Sequence, residues 1–231
     1  MVKKKLLFAF LLAGGVIFSG FSQEIVTAGG FLETVAERYA AIRDYEARVI
    51  IRSDTTEMTG NLSFLQPYFL RIDFTNPADQ VLIFTGDLLT VHDPRLRTVL
   101  NQAVTPIRRS GAAGGASLAS AQGLQLLRRG YVATFVTGPE PVPLAAGSPE
   151  RVVQLRLTRR LTSENFREII LSVNPETLMI RRIEARTLTN ALVFFDFTDI
   201  RTNVGIPEQR FAFVAPPTAN MHNNFLFRET N

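Results

Sequence analysis

Phe31, Leu32, Val35, Tyr39 and Ile42 recur at three- and four-residue spacing, with Glu33, Glu37 and Arg38 on the other side. That spacing predicts an amphipathic helix over 31–45, its apolar side laid on a core. From Glu46 the period changes to two. The stretches 48–52, 59–65, 68–74, 80–85 and 88–92 read as short strands, separated by turn signals such as Pro67, Asn76-Pro77-Ala78-Asp79 and Gly86-Asp87. Such runs joined by turn residues predict an antiparallel meander. The same pattern returns at 131–137 and, beyond a loop with Pro139, Pro141, Pro143 and Pro149, at 151–159. The stretches 166–173 and 178–188 flank a turn at Asn174-Pro175-Glu176-Thr177, and 191–200 and 209–214 close the series. About ten strands and two helices fit one curved sheet better than two domains.

The stretch 110–123 breaks the pattern, being rich in Gly, Ala and Ser, and leads into Leu124-Gln125-Leu126-Leu127-Arg128-Arg129. A mobile loop followed by a short helix, with Leu124, Leu126 and Leu127 as its apolar positions, is expected. Surface padding and a lid both fit that composition. The glycines lack the spacing of a phosphate-binding loop.

At the start of the chain, Lys3, Lys4 and Lys5 precede an apolar run from Leu6 to Phe18 and the small-x-small triplet Gly20-Phe21-Ser22. This order predicts a signal peptide over 1–22, with cleavage after Ser22 and a mature domain over 23–231. About a dozen apolar residues fall short of the roughly 20 that a spanning helix needs. The three lysines of the chain all lie in this leader, so the formal charge of +4 belongs mostly to it. A nearly neutral mature chain with scattered arginines gives no footprint for nucleic acid. A soluble protein of the periplasm is expected, and a chain with no Cys there has neither disulfide, thiol nucleophile, Cys-zinc site nor lipidated Cys.

Catalysis needs converging polar groups, and none converge in this sequence. No G-x-S-x-G elbow is present, and two histidines, His92 and His222, are too few for a His-rich metal centre. His92 reads as a strand-end or turn residue. Arg71 and Asp73 read as the solvated outside of a sheet, and Asp196 and Asp199, an odd number apart, are expected on opposite faces. The chain is therefore not expected to be an enzyme. Its large apolar side chains are what the strands concentrate, with Phe at 64, 69, 74, 84, 135, 166, 194, 195, 197, 211 and 213. Either they fill an ordinary core under the helices, or a curved sheet wraps an apolar cavity. Polar Asn61, Ser63, Arg71 and Asp73 place Leu62, Phe64, Leu70, Ile72 and Phe74 on the inward face.

The run from Gly60 through Leu62, Phe64, Pro67 and Arg71 to Ile72 resembles the G-x-L-x-F/V-x-x-P-x-x-x-R/N-W/I pattern of the periplasmic outer-membrane lipoprotein carriers, the LolA family. Pro77, Gln80-Val81-Leu82-Ile83, Gly86-Asp87, Leu89 and Asp93-Pro94 follow in the family's order. Phe166-Arg167-Glu168-Ile169 and the ending from Asn203 through Ile206-Pro207 to Pro216-Pro217 are similar as well. The resemblance implies a mainly β fold, an unclosed antiparallel β-barrel covered by helices and enclosing a hydrophobic cavity for lipoprotein acyl chains. It implies a monomer that takes lipoproteins from an inner-membrane exporter complex towards the outer membrane, where an acceptor is possible. No cofactor or covalent chemistry is involved. On this basis Leu62, Phe64, Leu70, Ile72, Phe74, Leu82, Phe84, Leu89, Val91, Phe195 and Phe197 are assigned to the cavity, and Gln66, Leu124, Leu126 and Leu127 to the lid. Gln66 stands where family members carry an arginine that helps latch the lid. The alternative on the same fold is a periplasmic regulatory module that senses lipid or protein without ferrying it.

Overall fold

The computed structural model describes residues 26–104, 118–162 and 164–224. The expected leader over 1–22 and most of the Gly/Ala/Ser stretch lie outside them. Two helices, α1 (Ala28–Ala40) and α2 (Ala121–Gly130), accompany strands β1 (Asp44–Arg52), β2 (Glu57–Leu65), β3 (Phe69–Asn76), β4 (Ala78–Phe84), β5 (Leu88–Asp93) and β6 (Thr98–Ala103). Then follow β7 (Tyr131–Phe135), β8 (Val142–Pro143), β9 (Arg151–Arg159), β10 (Phe166–Val173), β11 (Ile180–Thr187), β12 (Leu192–Thr202) and β13 (Asn220–Asn223).

Helix α1 starts three residues before the expected point because Thr27 caps it, its Oγ1 accepting from Gly30 N at 3.1 Å. It ends at Ala40, short of the expected Tyr45. From Asp44 the backbone pairs with β2 on one side and β12 on the other, and Tyr45 becomes the first inward residue of β1.

All the strands form one sheet in the order β13-β6-β5-β4-β3-β2-β1-β12-β11-β10-β9-β7, with β8 pairing on β9. Neighbours are antiparallel except β13, which is parallel to β6. The end strands β7 and β13 do not meet among the described residues, so the curved sheet is unclosed. Register shifts in β12 opposite Glu46/Arg48, at Thr59/Gly60 and at Asp73/Thr75 interrupt the ladder, and such bulges bend and twist a sheet. Gly60 stands at one of them. A Cβ there would meet Asp73 O at 2.8 Å, so the backbone of β3 approaches as only glycine permits.

The last segment departs from expectation. Instead of a strand over 209–214, Glu208–Phe211 forms a 3-10 turn, and the chain crosses the outer face of the sheet before joining β6 as β13. Buried Asp44 starts this crossing by accepting from Val204 N at 2.7 Å and Gly205 N at 3.1 Å. Arg71 donates from Nη1 to Arg210 O and Ala212 O, both at 3.2 Å. Phe211 packs with Leu65, Phe69 and Ile206, and Phe213 lies 5.4 Å from the His92 ring. Carbonyls bound by an arginine are not offered to a neighbouring strand, which explains the lost alternation. Strand β6 and the short β8 and β13 were not anticipated.

Candidate functional site

The register assembles the site from the bottom up. On the inner face Tyr45, Phe64, Leu70, Phe84 and Leu89 are successive partners across β1 to β5, and Ala47, Leu62, Ile72, Leu82 and Val91 form the next row. Phe195 and Phe197 of β12 stand opposite Ile51 and Val49 of β1 and extend the same face. Every residue assigned to a cavity is therefore on one side of the sheet. Their burial is graded: Leu62, Leu70 and Ile72 are 1% exposed, whereas Leu82 and Val91 are only half-buried. Beneath the helices this face is filled with side chains, so the state described is a packed core.

Helices α1 and α2 supply the cover. Leu32, Val35 and Tyr39 of α1, and Leu124 and Leu127 of α2, are buried against the sheet. Each such leucine contributes on the order of 1.5–3 kcal/mol. Leu126 does not share that side. It is 38% exposed, because two leucines adjacent in a helix point about 100° apart and Leu127 takes the inward position.

Polar ties fix the cover at its margins. Gln66 Nε2 donates to Ala40 O at 3.0 Å and Tyr39 O at 3.3 Å. The amide thus clasps the C-terminal carbonyls of α1; most of the 110–129 segment for which it was expected lies outside the described residues. Tyr45 Oη donates to Ala119 O at 2.7 Å, just before α2, and Ile180 N donates to Tyr39 Oη at 3.1 Å. Burial pushes both phenols above their ordinary pKa, so they are neutral over the physiological range. Arg128 pairs with Glu33 at 2.6 Å and links the two helices through half-exposed side chains. The start of α1 rests on β7 through Phe31 and Phe135, ring centroids 6.4 Å apart.

With this geometry the chain is similar in fold to an uncharacterized conserved protein from Thermus thermophilus, at a TM-score of 0.53 and 11% identity over 83% of this chain and 98% of that one. Lower-scoring similarities include the Pseudomonas aeruginosa MucA/MucB complex, at a TM-score of 0.49 and 15% identity over 84% of this chain and 62% of that one. A LolA superfamily protein from Nitrosomonas europaea is similar at a TM-score of 0.42 and 15% identity, over 81% and 98%. No protein-family model matches the sequence, and no curated protein matches it. An unclosed antiparallel sheet with helices on one face is also what the resemblance in sequence implies. This chain and the Thermus thermophilus protein share a fold.

The outer face of the sheet is polar. A groove of about 710 Å³ opens there, bordered by Glu46, Arg48, Asn61, Ser63, Arg201 and Arg210 among others, and its charges suit no acyl chain. Asp199 also borders it. The β-bulge with φ 52° at Asp199 breaks the alternation, so Asp199 and Asp196 are not on opposite faces as expected. Arg71 and Asp73 do more than solvate this face: with Arg210 they form an ion-paired triad that holds the C-terminal crossing. Burial alone would raise the Asp73 carboxyl, but hydrogen bonds from Arg71 and Arg210 outweigh it and hold the group below the usual carboxylate range. His92 is the penultimate residue of β5, at the strand's end and not in the turn that follows. Among the described residues no three His, Cys, Asp or Glu side chains cluster as metal ligands, and no helix is long and apolar enough to cross a membrane.

Proposed function

We propose that this protein is a carrier that shields the acyl chains of lipoproteins on the inner face of its sheet and moves them through the periplasm after removal of residues 1–22. The observation that supports this reading is the nature of the cover. A continuous apolar face runs across β1 to β5 and β9 to β12, and among the described residues two helices of 13 and 10 residues lie on it. A second sheet would close such a face permanently. Short helices held by Gln66 and Arg128 at their margins and by the buried Tyr45 hydroxyl can lift without unravelling the ladder below. Half-buried Leu82 and Val91 mark where a chain first meets the face. Burying an acyl chain is worth about 0.8 kcal/mol per methylene, so a lipoprotein crosses water at a useful rate only when covered. Gln66 contributes neutral hydrogen bonds of about 0.5–1.5 kcal/mol each, which suits a cover that must open.

The test is release of lipoproteins from inner-membrane vesicles into a soluble complex by the purified protein. Stoichiometric release supports the carrier reading. Acyl binding without release supports the regulatory module instead, and neither binding nor release removes both.

A further inference from the structure

Helix α2 has a second side. Leu124 and Leu127 are buried, while Gln125, Leu126, Arg128 and Arg129 face solvent. Gln125, Arg128 and Arg129 border a recess of about 420 Å³. Leu126 borders a tighter crevice beside it, lined also by Leu127, Tyr131, Glu164 and Phe166. The loop between β9 and β10 closes on the end of the helix. Arg160 N donates to Gly130 O at 2.7 Å, and its Nε donates to Tyr131 O at 3.1 Å. Leu161, 64% exposed, is thereby held next to the last turn of α2.

The charges around these leucines are mostly one sign. Arg128 and Arg129 follow Leu126 in α2, and Arg159 and Arg160 precede Leu161, against Glu33, which is paired with Arg128, and Glu164, whose carboxylate lies over Gly130. Arg129 makes no hydrogen bond or ion pair among the described residues. The helix macrodipole alone accounts for two arginines in a last turn. It does not account for Leu126 and Leu161 left in water beside them. Apolar side chains beside cations, next to a recess of headgroup size, match the chemistry of an anionic bilayer surface.

We infer that this surface docks on anionic phospholipid, with a headgroup phosphate in the recess at Arg128 and Arg129 and with Leu126 and Leu161 among the outermost methylenes. This rests on the carrier reading and deepens it. Docking puts the crevice at Leu127, Tyr131 and Phe166 against the bilayer, so an acyl chain can pass under α2 without entering bulk water.

The test is co-sedimentation of the protein, recovered after export, with phosphatidylcholine vesicles and with vesicles that also contain phosphatidylglycerol. The expected result is a preference of roughly tenfold or more for the anionic vesicles, fading as salt rises. R129E and L161E, both at exposed positions, should each lower that partition by roughly tenfold while leaving uptake of a soluble fluorescent acyl probe unchanged. Leu82→Glu should do the reverse. Equal partition to both vesicle types, no partition, or wild-type partition by R129E and L161E would overturn the inference. So would binding of an acidic polypeptide by a protein that ignores the vesicles. Normal vesicle docking by a wild-type protein that takes up no acyl probe would leave docking standing and remove the carrier reading.

Discussion

Gln66 is the residue at which the strength of the cover can be tuned. Its amide holds the last carbonyls of α1, where the helix dipole is negative and a cation is favoured. Gln66→Arg should convert neutral hydrogen bonds into charge-assisted ones, a gain of about 1 kcal/mol. Gln66→Ala should lose a similar amount. Amide exchange over residues 28–40 reads both: slower in the arginine variant and faster in the alanine variant, with unchanged exchange in both counting against a clasp. Asp73 gives the pH dependence. Because its carboxyl is held below the usual range in the folded protein, its stabilisation is present above the ordinary carboxylate pKa. It is lost as pH falls through the lowered value. Thermal midpoints measured from about pH 6 to about pH 3 should therefore fall more steeply in the wild type than in Asp73→Asn. Parallel curves would mean that the triad with Arg71 and Arg210 does not hold the C-terminal crossing.

At the scale of elements, the alternation of Leu62, Phe64, Leu70, Ile72 and Phe74 was legible because a half-buried strand has a period of two, and polar Asn61, Ser63, Arg71 and Asp73 marked the other face. The end of α1 was not, since Ile42 and Tyr45 continue the helical spacing and only pairing with β2 and β12 makes residue 44 a strand. The C-terminal crossing was hidden for a similar reason. Phe211 and Phe213 alternate like a strand, but the guanidinium of Arg71, 139 residues before Arg210 in sequence, takes the intervening carbonyls of Arg210 and Ala212. Gln66 was read against the 110–129 segment, and its bonds to the end of α1 were not legible, because a side chain does not announce which helix end it will meet. Helix α2 makes the sharpest prediction at this scale. Leu124 is 0% exposed beneath it, so Leu124→Ala should cost about 2–4 kcal/mol and loosen the helix before the sheet. Uptake of an acyl probe should then accelerate, with stopped-flow fluorescence as the readout. Slower uptake, or loss of the whole fold at once, would show that α2 belongs to the permanent core.

For the whole molecule, one unclosed sheet separates two chemistries. The outer face carries arginines, carboxylates and the C-terminal crossing, and the inner face carries aliphatic and aromatic side chains under two short helices. In the carrier proposed above, the same residues fill a core when closed and meet acyl chains when open. This separates two substitutions that look alike in the sequence. Leu70→Glu places a carboxyl where 1% is exposed and should prevent folding, whereas Leu82→Glu sits at the half-covered margin and should fold. The direct measurement is equilibrium binding of a fluorescent long-chain acyl probe to wild-type protein and Leu82→Glu, with amide exchange followed over α1 and α2. Saturable binding by the wild type, faster exchange in both helices as they lift, and no binding by a folded Leu82→Glu are expected. Binding that leaves both helices protected and survives Leu82→Glu would contradict the carrier reading.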